Sequence, residues 1–268
     1  MKRFLFLISG FALLVGCEDV IEVDVPNDEP RLSIDGLIRL NTNLLNTEIR
    51  IVATETSSFF EEIGSANLDR IELTNSLTNQ NINLTENPLG SGIYIAEWSV
   101  DQLMQGELVL SIDYNGSQYE AKTTFVPTVP FDNLIQGDGT LFSGDETEIL
   151  VSYTDEPNRE DFYLFDFDFE EYLVSEDTFY LGQAFEFSYF YEDGLEPGQE
   201  LNISILGVDE IFYNYMNQLI VQSGGDQGPF QTPAATVKGN IVNLTDSDNF
   251  ALGFFAVCQT FNGSIIIE

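Results

Sequence analysis

The sequence predicts an all-β protein, an N-terminal immunoglobulin-like β-sandwich followed by a second β-sandwich-type domain with one α-helix. Three observations predict it. Short runs rich in β-branched and aromatic residues recur along the chain, bounded by Asn, Gly, Asp and Pro. Asn115-Gly116 separates two alternating runs, the arrangement of a tight hairpin in which both central residues tolerate positive φ. Only one stretch, Val208–Ser223, carries apolar residues at helical spacing.

In the first half the expected strands are Arg31–Arg39, Thr47–Glu55, Arg70–Asn75, Asn81–Thr85, Gly92–Trp98, Glu107–Tyr114 and Gln118–Val126. Their number and spacing fit an immunoglobulin-like sandwich over 31–127, with Trp98, the only tryptophan, packed inside. Pro127-Thr-Val-Pro130 interrupts strand pairing and favours extended backbone, so the domain boundary is placed there. The second domain, 128–268, is expected to hold strands at Glu148–Tyr153, Asp161–Glu170, Thr178–Gly182, Ala184–Tyr191 and Glu200–Leu206. Further strands are expected at Val237–Asn243, Ala251–Cys258 and Ser264–Ile267. The helix, near 209–223, starts with Asp209 as N-cap, and Gly224-Gly225 ends it. Its stripe of Ile211, Phe212, Tyr215, Met216, Leu219 and Ile220 is expected to lie against a sheet. Gly224–Pro233 reads as a loop.

The first residues carry a different signal. Lys2 and Arg3 precede an apolar run, Phe4–Val15, that is too short to span a bilayer, which takes roughly 20 residues. A basic start and a short apolar core form a secretory signal. Leu14-Val15-Gly16-Cys17 then resembles the bacterial lipobox. The expectation is a signal peptide at 1–16, lipidation of Cys17 and an acidic tether at 17–30. Multiple acyl chains give stable attachment to a membrane without a spanning helix.

Composition narrows the function classes. The 268 residues include 9 Lys+Arg against 45 Asp+Glu, for a formal charge of −36. Loss of Lys2 and Arg3 with the signal would take this to −38. Such a chain repels polyanions, and nucleic-acid binding, which relies on Lys and Arg at phosphates, is excluded. With 43% hydrophobic and 13% aromatic residues it nevertheless has material for packed cores. There is no histidine, which removes Ser–His–Asp and Cys–His catalysis and the usual zinc ligand. Phosphate-binding glycine loops are absent as well. Cys258 lies in the apolar run Phe254–Cys258 and reads as a buried structural thiol. Two carboxylates could hydrolyse a glycoside without histidine, but 45 acidic residues offer no way to choose a pair.

Two patterned segments qualify as candidate sites. If Phe165–Glu170 is a continuous strand, Asp166, Asp168 and Glu170 share one face and could contribute oxygens to a calcium ion. Loops 138–148 and 246–249 could supply others, though none fits the EF-hand pattern, and the bland reading is a solvated acidic face. Along Phe185–Tyr191 four aromatics, Phe185, Phe187, Tyr189 and Tyr191, share a face, either as a stacking platform or as sandwich core.

In the order of its parts the chain resembles a family of Bacteroidota outer-membrane lipoproteins known as domain of unknown function 4249. The matching pieces are Leu32–Gly36, Gly90–Tyr94 and Tyr119–Pro127, then Pro229-Phe230, Gly239–Ile241 and Ala251–Phe255. Members of that family are often encoded beside TonB-dependent receptors. The resemblance implies a non-enzymatic, lipid-anchored outer-membrane protein facing the cell surface. It would act as an accessory or ligand-capture component of such a receptor, and no catalytic residue is implied. The alternative is a stand-alone surface adhesin that binds glycans or proteins. Surface export in that phylum favours a dense acidic run after the cysteine, and here Glu18-Asp19 gives way at once to Val20-Ile21.

Overall fold

The structure is a computed structural model that describes residues 29–58, 62–141, 144–192, 195–223 and 235–268. The expected signal peptide, the lipidation site Cys17, nearly all of the tether and the 224–233 loop lie outside these residues. The described part is all-β, with short helices as accessories.

The first unit contains β1 (Leu32–Leu40), β2 (Asn46–Glu55), β3 (Gly64–Ser65), β4 (Arg70–Asn75), β5 (Gln80–Asn83), β6 (Thr85–Glu86) and β7 (Ile93–Ser99). A one-turn helix, α1 (Val100–Leu103), leads into β8 (Glu107–Tyr114) and β9 (Ser117–Val126). One layer runs β5-β4-β8-β9, and the other runs β17-β1-β2-β7-β6, where β17 (Leu252–Ile266) is the last strand among the described residues. Side chains alternate along each strand, so Ile34, Ile38, Ile49 and Ile51 of one layer meet Ile71, Leu73, Leu110 and Ile112 of the other. Trp98 is half-buried against this core. The hairpin at Asn115-Gly116 forms as its sequence dictates, with φ of 50° and 76° and Tyr114 opposite Ser117.

The second unit comprises β10 (Phe131–Gln136), β11 (Thr147–Thr154), β12 (Phe162–Asp166), β13 (Tyr172–Glu176), β14 (Ala184–Tyr191) and β15 (Glu200–Val208). Helix α2 (Glu210–Ser223) and β16 (Val242–Asn243) follow. Sheet β10-β11-β14 faces a sheet in which β12 pairs with β13 and β15, and β15 pairs with β17. Between them lies an aromatic core of Tyr153, Tyr163, Phe165 and Phe167. The stripe Phe185, Phe187, Tyr189 and Tyr191 turns into this core, with Tyr189 stacked on Phe167 at a centroid distance of 3.7 Å.

Several expected elements differ. No strand forms at Thr178–Gly182. There Tyr180 N–H donates to Asp177 and Gln183 N–H to Tyr180, which closes a turn, and the strand lies earlier, in β13. Val237–Asn243 shortens to the two residues of β16, paired with Tyr119 and Glu120 of β9. The strands expected at Ala251–Cys258 and Ser264–Ile267 are one continuous strand. The polar stretch between them reads as a break, yet Asn262 pairs with Ser204, whose hydroxyl donates to its side chain at 2.8 Å. At Gly263 a Cβ would run into Leu134, so this glycine serves close packing and not a turn. Strand β10 was not expected, because the proline pair before it reads as linker.

The long β17 also crosses the expected boundary at 127/128. Its first half runs parallel to β1, from Ser33 opposite Leu252 to Leu40 opposite Gln259. Its second half runs antiparallel to β15, from Leu206 opposite Thr260 to Glu200 opposite Ile266. Phe255 and Val257 enter the first core, while Phe261 and Ile265 pack on the second. Ile241 and Ala251 are also buried in the first core. The N-terminal sandwich is thus completed by residues from the far end of the chain.

Helix α2 packs over the opposite faces of these central strands. Leu164, Leu206, Val208, Phe254, Ala256 and Cys258 form a third cluster beneath Phe212. Asp209 caps the helix, its Oδ1 accepting from Phe212 N at 2.8 Å. Within the expected stripe Ile211 faces outward at 67% exposure, and Tyr213 packs on Phe162 in its place. Cys258 is buried, and burial first, then the charge of Asp209, pushes its thiol well above the usual range.

Two outcomes follow. Phe255→Ala empties a fully buried position of the shared strand and should cost about 3–5 kcal/mol in urea unfolding. Asp209→Ala removes the cap and should cost about 1 kcal/mol in the same assay.

Candidate functional site

A cleft of about 480 Å³ opens where the two sandwiches and α2 meet. Ligand sites favour such junctions, and this volume lies within the range of roughly 300–1,000 Å³ usual for them. Strand alternation supplies its floor: Ile34 and Ile38 point into the first core, so Asp35, Leu37 and Arg39 point outward into the cleft. Arg50 joins them from β2, two residues along from Val52, the partner of Asp35. The helix provides an apolar wall of Phe212, Tyr215, Met216 and Leu219. Tyr172 of β13 and Phe254 of β17 close the remaining sides.

One ion pair ties a cleft residue to the second sandwich. Arg39 of the first sandwich meets Asp166, at the end of β12, at 2.6 Å. Tyr172 lies beside this pair; its phenol is raised by burial, then by Asp166, with Arg39 opposing. Burial and then Asp35 raise Tyr215 in the same way. Both phenols are therefore neutral donors at ordinary pH.

The residues singled out from sequence are arranged differently from the expectation. Strand β12 stops at Asp166, and Asp168, Phe169 and Glu170 take positive φ of 67°, 50° and 63°. The three carboxylates do not share a strand face. Asp166 is tied to Arg39 and accepts from Asp168 N, while Asp168 accepts from Phe169 N and Asn202 N. In the 138–148 loop Glu148 accepts from Gly139 N at 2.8 Å and from the Ser188 hydroxyl. In the 246–249 loop Asp246 accepts from Asp248 N. Among the described residues no group of three or more acidic or cysteine side chains is placed to hold a metal ion.

A different set of carboxylates is buried: Asp155, Asp161 and Asp177, each at 4% exposure or less, at one end of the second sandwich. Asp155 accepts from Tyr163 OH and from Gly182 N. Asp161 holds Arg159 through both oxygens, and Asp177 accepts from Asp161 N at 2.7 Å. This network ties the loops around β12 and β13 and leaves no oxygen cage. Among 45 acidic residues nothing in the sequence marks these three, apart from their positions flanking apolar runs.

Burial, together with the nearby charges of Asp155 and Asp161, raises the Asp177 carboxyl, against a lowering by its hydrogen bond from Asp161 N. The folded protein then holds that proton more tightly than the unfolded chain does. Its contribution to stability is present below the ordinary carboxylate range, near ~3.9, and is lost as pH rises through the raised value. Asp177→Asn keeps an acceptor for Asp161 N and removes the charge. Melting temperatures from pH 4 to 7 should therefore decline less with rising pH in the variant than in the parent.

Two solved structures are distantly similar in fold. A crystal structure of a DUF4785 family protein from Legionella pneumophila is 12% identical with a TM-score of 0.24, covering 66% of this chain and 51% of that one. A bacterial ice-binding adhesin of 1.5 MDa, whose structure concerns retention on the host cell surface, is 10% identical with a TM-score of 0.22, covering 68% and 59%. This chain thus spans little more than half the length of either. No curated protein matches its sequence. The model of one family, described as "Domain of unknown function (DUF4249)", matches residues 18–263, and the chain belongs to that family.

Proposed function

We propose that this protein is a non-enzymatic lipoprotein, anchored to the outer membrane through Cys17 and facing the cell surface, that captures a ligand for a TonB-dependent receptor. The cleft at the sandwich junction is the observation that carries the reading. It offers a concave, partly apolar space with charged groups at one side, and Cys17 lies upstream of β1, which forms its floor. The lipobox-like Leu14–Cys17 supports attachment by lipid. No helix among the described residues is long and apolar enough to cross a membrane. The absence of histidine supports a binding role over the commonest forms of acid–base catalysis.

The test is purification of the full-length protein from native membranes in mild detergent, with its companions identified by mass. An outer-membrane barrel receptor should accompany it in constant ratio. Recovery of the lipoprotein alone would remove the receptor from the proposal.

A further inference from the structure

Of nine basic residues, Lys2 and Arg3 lie outside the described residues, which leaves seven cations among an excess of carboxylates. Six of the seven have partners. Arg31 and Lys238 both lie over one ring, Phe250, at 3.8 and 3.5 Å from its centroid. Arg70 meets Asp113 and Glu72, Lys122 meets Glu120, Arg159 meets Asp161, and Arg39 meets Asp166. Of these seven described cations only the Arg50 side chain makes no ion pair, hydrogen bond or ring contact, and it lines the cleft.

An unpaired guanidinium in so acidic a protein, set beside an aromatic and aliphatic wall, has the chemistry of a carboxylate receptor. A guanidinium fork matches the two oxygens of a carboxylate. Arg39 is already neutralised by Asp166, and Asp35 adds a negative charge to the lining, so the cleft has at most one positive charge to offer. A dianion such as a phosphate monoester would set two negative charges against that single cation, with Asp35 in the same lining. Tyr215, Met216 and Leu219, each half-buried, offer an apolar surface for the rest of the ligand.

We infer that the cleft binds a small molecule with one carboxylate on an apolar body, the carboxylate held by Arg50 and the body lying along α2. The inference rests on reading the cleft as the capture site.

The experiment is calorimetric titration of the full chain in mild detergent with 3-phenylpropionate, 3-phenylpropan-1-ol and phenyl phosphate. Arg50→Glu in the same detergent serves as the reference, so partition into micelles cancels. The carboxylate should bind at least ~10-fold more tightly than the alcohol, as a charged hydrogen-bonded pair implies, and more tightly than the phosphate. Arg50→Ala should weaken it by about tenfold, Arg50→Lys should restore part of the loss, and added salt should weaken binding. Arg70→Ala, which removes a surface pair on β4, should leave affinity unchanged. Equal binding of carboxylate and alcohol, tighter binding of the phosphate, indifference to Arg50→Ala, or no saturable binding by a folded protein at millimolar carboxylate each overturns the inference. No receptor is present in this titration, so its failure is separable from a failure of the receptor to co-purify.

Discussion

The whole arrangement depends on alternation along one strand. In β17 the odd-numbered side chains Phe255 and Val257 fill the first core, and Phe261 and Ile265, of the same parity, pack on the second. The even-numbered Phe254, Ala256 and Cys258 turn to the other face and are covered by α2. A strand of 15 residues rises about 3.3 Å per residue, long enough to pass through two sandwiches in sequence. Because the side-chain period is two, a slip of one residue would expose all three apolar sets at once. Register is accordingly fixed from both sides, by β1 along one half and by β15 along the other.

The cleft is a by-product of that geometry. Two sandwiches sharing one strand must diverge on either side of it, and α2 bridges only part of the opening. The helix packs closely near its start, where Asp209 caps it and Phe212 sits on Phe254 with ring centroids 4.8 Å apart. Leu219, further along, lines open space instead of core. The charged floor follows from the alternation of β1, which sends isoleucines inward and leaves Asp35 and Arg39 outside. The Arg39–Asp166 pair then holds across the gap. It joins a half-exposed Arg39 to a largely covered Asp166 and links the two sandwiches.

Much of the fold was legible in the sequence because local signals and tertiary demands agreed. Arg70–Asn75, Glu107–Tyr114 and Ala184–Tyr191 have the expected boundaries, since each alternates polar with apolar residues along its length. Failures arose where one residue type serves two purposes. Asn262-Gly263 has turn composition but is held in a strand by Ser204 and by Leu134 packing over the glycine. Phe165–Glu170 alternates like a strand, but the tolerance of Asp for left-handed backbone and the hydrogen bond from Asp168 N to Asp166 turn it into a tight corner. The cleft was hidden for a different reason. Its lining comes from β1, β2, β12, β13, α2 and β17, so its parts, from Ser33 to Phe254, are separated by more than two hundred residues, and no local pattern marks Arg50 as unpaired.

The parallel pairing of β1 with β17 also orders events in time. Strand β1 must wait for β17, more than two hundred residues further on, before its outer edge is closed, whereas β8 and β9 can pair as soon as their hairpin exists. Contacts of such long sequence separation form late and slowly. A ribosome, or a membrane pore releasing the chain from its N-terminus, would therefore hold out a partly zipped sandwich until Leu252–Ile266 had emerged. Strand β17 acts as a completion signal: a chain cut short before Leu252 would lack the edge partner of β1 and would stay in the form that chaperones and proteases recognise.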